Sequence, residues 1–258
     1  MIFKIYTSEK TAIFDIFLII YYIKSLSLSI FQNNFLPKRN KRILICGALC
    51  YKLIFVIIYP LRRKLKMFPI SMITGDPLWN SLPAAKIINY PLEKADYKPY
   101  AQARLCISKD DFYIQLLAFE VAPEEKSVVG AAIAPFSEED GGKRYFWLST
   151  NRGGALVCKF IDEQNGTELD VTKNVSVRIF TGEDEQGVYW CTNFTLPLSL
   201  VEKLFGKSYL LPGHRMKGNF YKLCDGERPH YGSFYPADFT DINPLGSRYF
   251  GDFELSLY

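Results

Sequence analysis

From Met67 onward the chain keeps to short runs that alternate apolar and polar residues, each cut by Gly, Pro, Asn or Asp. Side chains on a strand point to opposite faces in turn, so each such run has one side to bury and needs a second layer to bury it. Sixteen of the seventeen glycines lie beyond position 67, Gly47 being the exception, and they punctuate the runs as turn residues do. The pattern predicts an all-β fold, an antiparallel β-sandwich of the jelly-roll kind with about nine or ten strands, and excludes alternating βα units. The clearest strands are expected over residues 103–108, 112–120, 143–150, 155–162, 174–181, 188–196, 218–223 and 250–257. One short helix is expected over 198–205, opened by Pro197 and stopped by Gly206, with Leu198, Val201, Leu204 and Phe205 on one face.

Residues 1–66 are of a different kind. They carry twelve Lys or Arg against Glu9 and Asp15, a net of +10, so a chain of net +4 leaves −6 for residues 67–258. A mildly acidic globular part is ill suited to holding a polyanion by counterion release, which sets nucleic acid aside. The apolar runs 13–23 and 43–61 are broken by Asp15 and by Lys52 and Pro60, where a spanning helix needs roughly 20 mainly apolar residues. No secretory signal pattern opens the chain. Three readings stand: a poor membrane anchor with a cytoplasmic basic flank, a disordered basic tail, or sequence outside the functional protein. The last is favoured, because Ile, Phe, Lys, Tyr, Leu and Asn dominate while Gly, Pro, Asp and Glu are scarce. The chain is therefore divided into an N-terminal extension, 1–66, and one domain, 67–258.

Periodicity assigns faces within the strands. Val188, Trp190, Thr192, Phe194 and Leu196 share one side of their strand, which makes Trp190 a core residue, and Val175, Val177 and Ile179 do the same in theirs. In 143–151 the core side is Phe146 and Leu148, and Tyr145, Trp147, Ser149 and Asn151 share the other. A Trp and a Tyr beside Ser and Asn suit an exposed plate. Sugars present flat C–H faces rimmed by hydroxyls, and a plate with amide and guanidinium neighbours answers both. The alternative is a second layer covering these aromatics.

The turn-rich stretch 218–236 gathers Asn219, Tyr221, Asp225, Arg228, His230, Tyr231, Phe234 and Tyr235. GNFYK (218–222), then PHYGSFYP (229–236), then a last strand opened by Tyr249, Phe250 and Gly251 and ending in FEL, resembles the carbohydrate-binding family 9-like proteins. YFWLSTNRGGAL (145–156) and the Trp190 strand leading through LPLSLVEKLFG resemble the same family. The resemblance covers about residues 80–258. It departs where Phe234 replaces a frequent Trp and where VVGAAIAPFSEEDGG (128–142) replaces an acidic strand. It implies a β-sandwich that binds oligosaccharide or polysaccharide, such as plant β-glycan, xylan fragments or sugar ends, without catalysis. The family's clamp of two Trp rings would fall on Trp147 and Trp190, of which the face assignment supports only Trp147. The expected sugar-binding set is Arg144, Tyr145, Trp147, Asn151, Trp190, Asn219, Tyr221 and His230.

Nothing marks a catalyst. His214 and His230 stand in no metal motif, no G-x-S-x-G elbow occurs, and the acidic pairs 110–111 and 138–139 fall in turns. A β-sandwich glycosidase, which needs two facing carboxylates, is one alternative and a protein-interaction sandwich another. No cofactor is expected; the loops 137–142 and 161–170 offer oxygens for calcium but lack the order of a calcium loop. Cys106, Cys158, Cys191 and Cys224 show no zinc spacing. Reduced thiols in the cytoplasm are the simpler expectation, with membrane attachment only if 1–66 is an anchor.

Overall fold

The computed structural model describes residues 67–92 and 97–257. All of them belong to a unit spanning Arg63–Tyr258; the expectations placed on 1–66 lie outside the described residues. No described helix is long and apolar enough to cross a membrane.

Among the described residues thirteen strands hydrogen-bond into one sheet. They are β1 (Phe68–Met72), β2 (Ala85–Ile87), β3 (Ala101–Ile107), β4 (Asp111–Ala118), β5 (Ser127–Ala134), β6 (Arg144–Asn151) and β7 (Leu156–Asp162). After these come β8 (Thr167–Asp170), β9 (Ser176–Asp184), β10 (Gly187–Pro197), β11 (Arg215–Cys224), β12 (His230–Ser233) and β13 (Gly251–Leu257). Their order is β8-β7-β6-β5-β11-β13-β1-β3-β4-β10-β9, with β12 added to β11 and β2 to β3. Phe146 and Phe160 from one end of this order share a buried core with Ile114, Trp190 and Phe194 from the other. The sheet therefore curls over on itself and its two halves face each other as the layers of a sandwich do.

The alternation that predicted the strands now sorts the two faces. In β3, Ala101, Ala103, Leu105 and Ile107 point into the core, leaving Gln102, Arg104 and Cys106 on the outer face. In β10, Trp190, Phe194 and Leu196 point in, leaving Tyr189, Cys191 and Asn193 outward. The helix α2 (Leu198–Phe205), second after the single-turn α1 (Ser137–Asp140), has the bounds expected of it. Gly206 ends it with φ +78°, its N–H returning to the Glu202 carbonyl at 2.8 Å. Phe205 at its last turn stands within 5.2–5.5 Å of the Phe136, Phe146 and Phe160 rings and closes one end of the core.

Two features differ from the sequence reading. β1 runs parallel to both β13 and β3, the only parallel pairings among the described strands, so the sheet is mixed. It stitches the two halves together, a role that a five-residue segment without strict alternation does not announce. The strand β5, inside the sheet, falls where the sequence departs from the acidic strand of the family it resembles. Its small side chains have a cause: Trp147 on β6 lies over Gly130, where a Cβ would come within 2.6 Å of the indole. Gly130, Ala132 and Ala134 make room for Trp147, Tyr145 and Tyr221 from the strands on either side.

Candidate functional site

A groove of about 600 Å³ lies on the outer face of β3, β4, β10 and β9. Arg104 and Gln115 line it in cross-strand register, and Gln115 in turn stands beside Asn193 on the next strand, completing a polar row. Arg104 Nη1 donates to Gln115 Oε1 at 3.1 Å, and Gln115 Nε2 donates to Asn193 Oδ1 at 3.2 Å. Gln102 stands one step along β3 and accepts from the Tyr100 hydroxyl at 3.2 Å. The row is held in place before any ligand arrives, and this preorganisation lowers the entropic cost of binding.

Aromatic rings join these polar groups. Trp79, half-buried in the short 3₁₀ turn Trp79–Ser81 between β1 and β2, is part of the lining. Tyr189 and Phe180 line the same groove. Tyr189 lies across Gly182 on the facing strand, where a Cβ would fall 2.4 Å from its hydroxyl, and Phe119 supports it at 5.6 Å. Asn80, Asp184 and Gln186 add polar groups at the loops. Apolar plates together with amides and a guanidinium form the lining that a flat, hydroxyl-rimmed ring requires.

A second groove, about 520 Å³, lies over β6, β7 and β8 and is lined by Trp147, Tyr145, Lys159, Glu168, Asn243 and Leu245. Of its charged groups Lys159 is paired with Glu168 at 2.6 Å, and Glu163 accepts from Ser247 Oγ. Asp162, also in its lining, caps the turn that follows through Gln164 N and the Asn165 side chain.

No protein-family model and no curated protein matches the chain. Among solved structures, a candidate carbohydrate-binding protein from Bacteroides uniformis superposes with a TM-score of 0.57 at 20% identity, over 74% of this chain and 99% of that one. A family 9 carbohydrate-binding module from Caldicellulosiruptor kristjanssonii, in complex with glucose, superposes with a TM-score of 0.50 at 13% identity, over 75% of this chain and 97% of that one. The fold is that of a family 9 carbohydrate-binding module.

Within this family 9-type fold most of the residues expected at a site are structural. Tyr145 is 3% exposed, edge-on to Phe250 at 5.0 Å, because the segment after β12 lays Ala237, Phe239, Leu245, Tyr249 and Phe250 over the outer face of β5, β6 and β11. The face assignment for β6 was right, and the covering layer is what removes the expected exposed plate. Tyr221 is buried beneath the same layer. Asn219 fastens that layer down: its Nδ2 donates to the Tyr235 and Tyr249 carbonyls at 2.9 and 3.0 Å, and its Oδ1 accepts from Tyr235 N at 2.9 Å. Asn151 shapes the turn after β6, donating to the Glu125 carbonyl at 2.7 Å and accepting from Ala155 N at 2.9 Å. Arg144 pairs with Asp140 at 3.0 Å and lies over Phe205. Of this set only Trp147 and Arg144 keep partial exposure, and only Trp147 and Tyr145 line a groove.

Trp190 and His230 belong instead to a buried charged cluster. Glu120 accepts from Trp190 Nε1 at 3.1 Å, Ser127 Oγ at 2.9 Å and Tyr97 at 3.0 Å. Lys222 donates to Ser127 Oγ at 2.5 Å and His230 Nε2 at 2.8 Å, and stands 3.2 Å from Glu120. His230 Nδ1 donates to the Arg228 carbonyl at 2.8 Å, which leaves Nε2 to accept, so the imidazole is neutral. Burial raises the Glu120 carboxyl, but Lys222, Trp190 and Ser127 outweigh it and hold the group below the usual carboxylate range. Burial and then Lys222 pull His230 below the ordinary histidine value. Through Glu120, just past the end of β4, the cluster ties that segment to β5, β10, β11 and β12.

The sequence reading passed over Trp79, Gln102, Arg104, Gln115 and Tyr189. A signal for three of them was present: Gln102 and Arg104 are the polar face of a strand whose other face is wholly apolar, and Gln115 interrupts the apolar run of β4. That these faces adjoin could not be read without the pairing. The four domain cysteines are free and buried. The loop 137–142 forms α1 and its αL stop, and 161–170 spans the β7–β8 turn. Among the described residues no three His, Cys, Asp or Glu side chains gather as a metal site.

Proposed function

We propose that residues 67–258 form a non-catalytic carbohydrate-binding module that takes a sugar ring into the Trp79 groove. The observation that carries this reading is that Gln102, Arg104 and Gln115, the last two preorganised by the Arg104–Gln115–Asn193 hydrogen bonds, line one groove with the Trp79 and Tyr189 rings. The family 9-type fold supports it, and so does the glucose held by one of the modules of that fold. Gluco-configured β-glycan or xylan fragments, or their ends, fit the plate-and-amide chemistry. Tyr145 and Trp147, the plate expected from sequence, line the second groove, but Tyr145 is buried beneath the segment after β12, so the Trp79 groove is preferred.

Calorimetric titration of the full chain with cello- and xylo-oligosaccharides tests this directly. Trp79→Ala is expected to abolish binding, since stacking is worth on the order of 1 kcal/mol beyond simple area and the ring's area is lost as well. Trp147→Ala is expected to bind as the wild type does. Undiminished affinity in Trp79→Ala, or a loss confined to Trp147→Ala, moves the site to the second groove.

A further inference from the structure

Within the groove the charge balance is incomplete. Arg144 has Asp140 and Lys222 has Glu120, each within 3.2 Å. Arg104 is half-buried in the groove lining and, among the described residues, no carboxylate forms an ion pair with it. Its one hydrogen bond goes to the neutral Gln115 amide, whose own N–H₂ is committed to Asn193. Its Nε–H is buried and donates to nothing. Asp184 lines the same groove, but it caps the β9–β10 turn, accepting from Gln186 N at 2.8 Å.

A partly covered guanidinium with a free Nε and no ion-pair partner among the described residues is half of a pair. We infer that the sugar bound here carries a carboxylate, making the preferred ligand class a uronic acid rather than a neutral hexose. This rests on the Trp79 groove being the sugar site. A carboxylate can accept from Nε and an Nη of one guanidinium side-on, so a small turn of the Arg104 side chain satisfies the orphan donor and the charge in one contact. A neutral hydroxyl supplies neither the charge nor two parallel acceptors. The C–H faces of the same ring remain available to Trp79 and Tyr189. Asp184 at the turn repels a carboxylate placed near it and so favours the orientation in which the acid points to Arg104.

Calorimetric titration of the full chain with glucuronic and galacturonic acids, beside glucose and galactose, tests the inference, repeated on Arg104→Gln, Arg104→Lys and Trp79→Ala. Each acid is expected to bind about tenfold or more tighter than its neutral parent at low salt, with the advantage shrinking as salt rises. In Arg104→Gln acid and parent should bind to within about twofold, and Arg104→Lys should retain part of the preference because it keeps charge without the fork. If the neutral sugar binds as well as the acid while Trp79→Ala abolishes both, the inference falls and the site stands. If neither sugar binds, or binding ignores Trp79→Ala, the site reading falls and takes the inference with it. The comparison on the unaltered protein decides the point even if a variant fails to fold.

Discussion

Replacing Glu120 by Gln keeps the shape of the side chain and removes its charge, which leaves the Lys222 ammonium alone in the interior. Both side chains are at most 1% exposed, and their charged atoms lie 3.2 Å apart. At that distance an effective dielectric near 20 gives an attraction of about 5 kcal/mol. Removing one partner of a buried pair costs about 3–5 kcal/mol, the stranded charge accounting for most of it. Glu120→Gln is therefore expected to lose about 3–5 kcal/mol of stability, roughly 10 °C in Tm for a domain of this size. The double variant Glu120→Gln/Lys222→Met strands no charge and should recover to within about 2 kcal/mol of the wild type. Urea unfolding followed by far-UV circular dichroism measures all four corners of the cycle, the midpoint and slope being read together. A loss below about 1 kcal/mol in Glu120→Gln, or a double variant that falls by the sum of its parts, would refute the view that this pair is closely coupled.

The same cluster makes stability sensitive to acid. His230 is held below its ordinary value of about 6.5, so its contribution is complete above that pH and is lost as pH falls through the lower folded value. Glu120, also held low, adds a loss of the same sign at more acid pH. The urea midpoint should fall from about pH 7.5 to about 5.5, and His230→Gln should flatten that limb; a midpoint that stays constant or rises would contradict the neutral-imidazole assignment. Gly130→Ala places a Cβ within 2.6 Å of the Trp147 indole and is expected to cost about 1–3 kcal/mol by overpacking. It should leave sugar affinity unchanged, since the Trp79 groove lies on other strands; reduced affinity with intact folding would show that the Trp147 face takes part in binding.

Strand alternation is a local property, and it was legible. The inward and outward sides of β3, β6 and β10 and the bounds of α2 follow from spacing and from Pro197 and Gly206, because period two and period 3.6 are imposed on the chain one residue at a time. The strands that escaped notice did so for non-local reasons. β5 carries Gly and Ala because Trp147, Tyr145 and Tyr221 from other strands occupy the space above it. β1 is defined by two parallel neighbours distant in sequence. The candidate site divides along the same line. The sequence identified aromatic and amide groups suited to sugars but chose those concentrated in 144–151 and 219–230, where proximity in the chain was the only proximity visible. Most of those fasten turns, cap strands or neutralise one another in the interior. Composition and periodicity by themselves determined the class of fold and which side of each clear strand faces inward. Only the tertiary structure decided which outer face stays open, because covering one half of the sheet with residues 237–250, and leaving Arg104, Gln115 and Asn193 side by side on the other, depends on strand pairings that join residues dozens of positions apart.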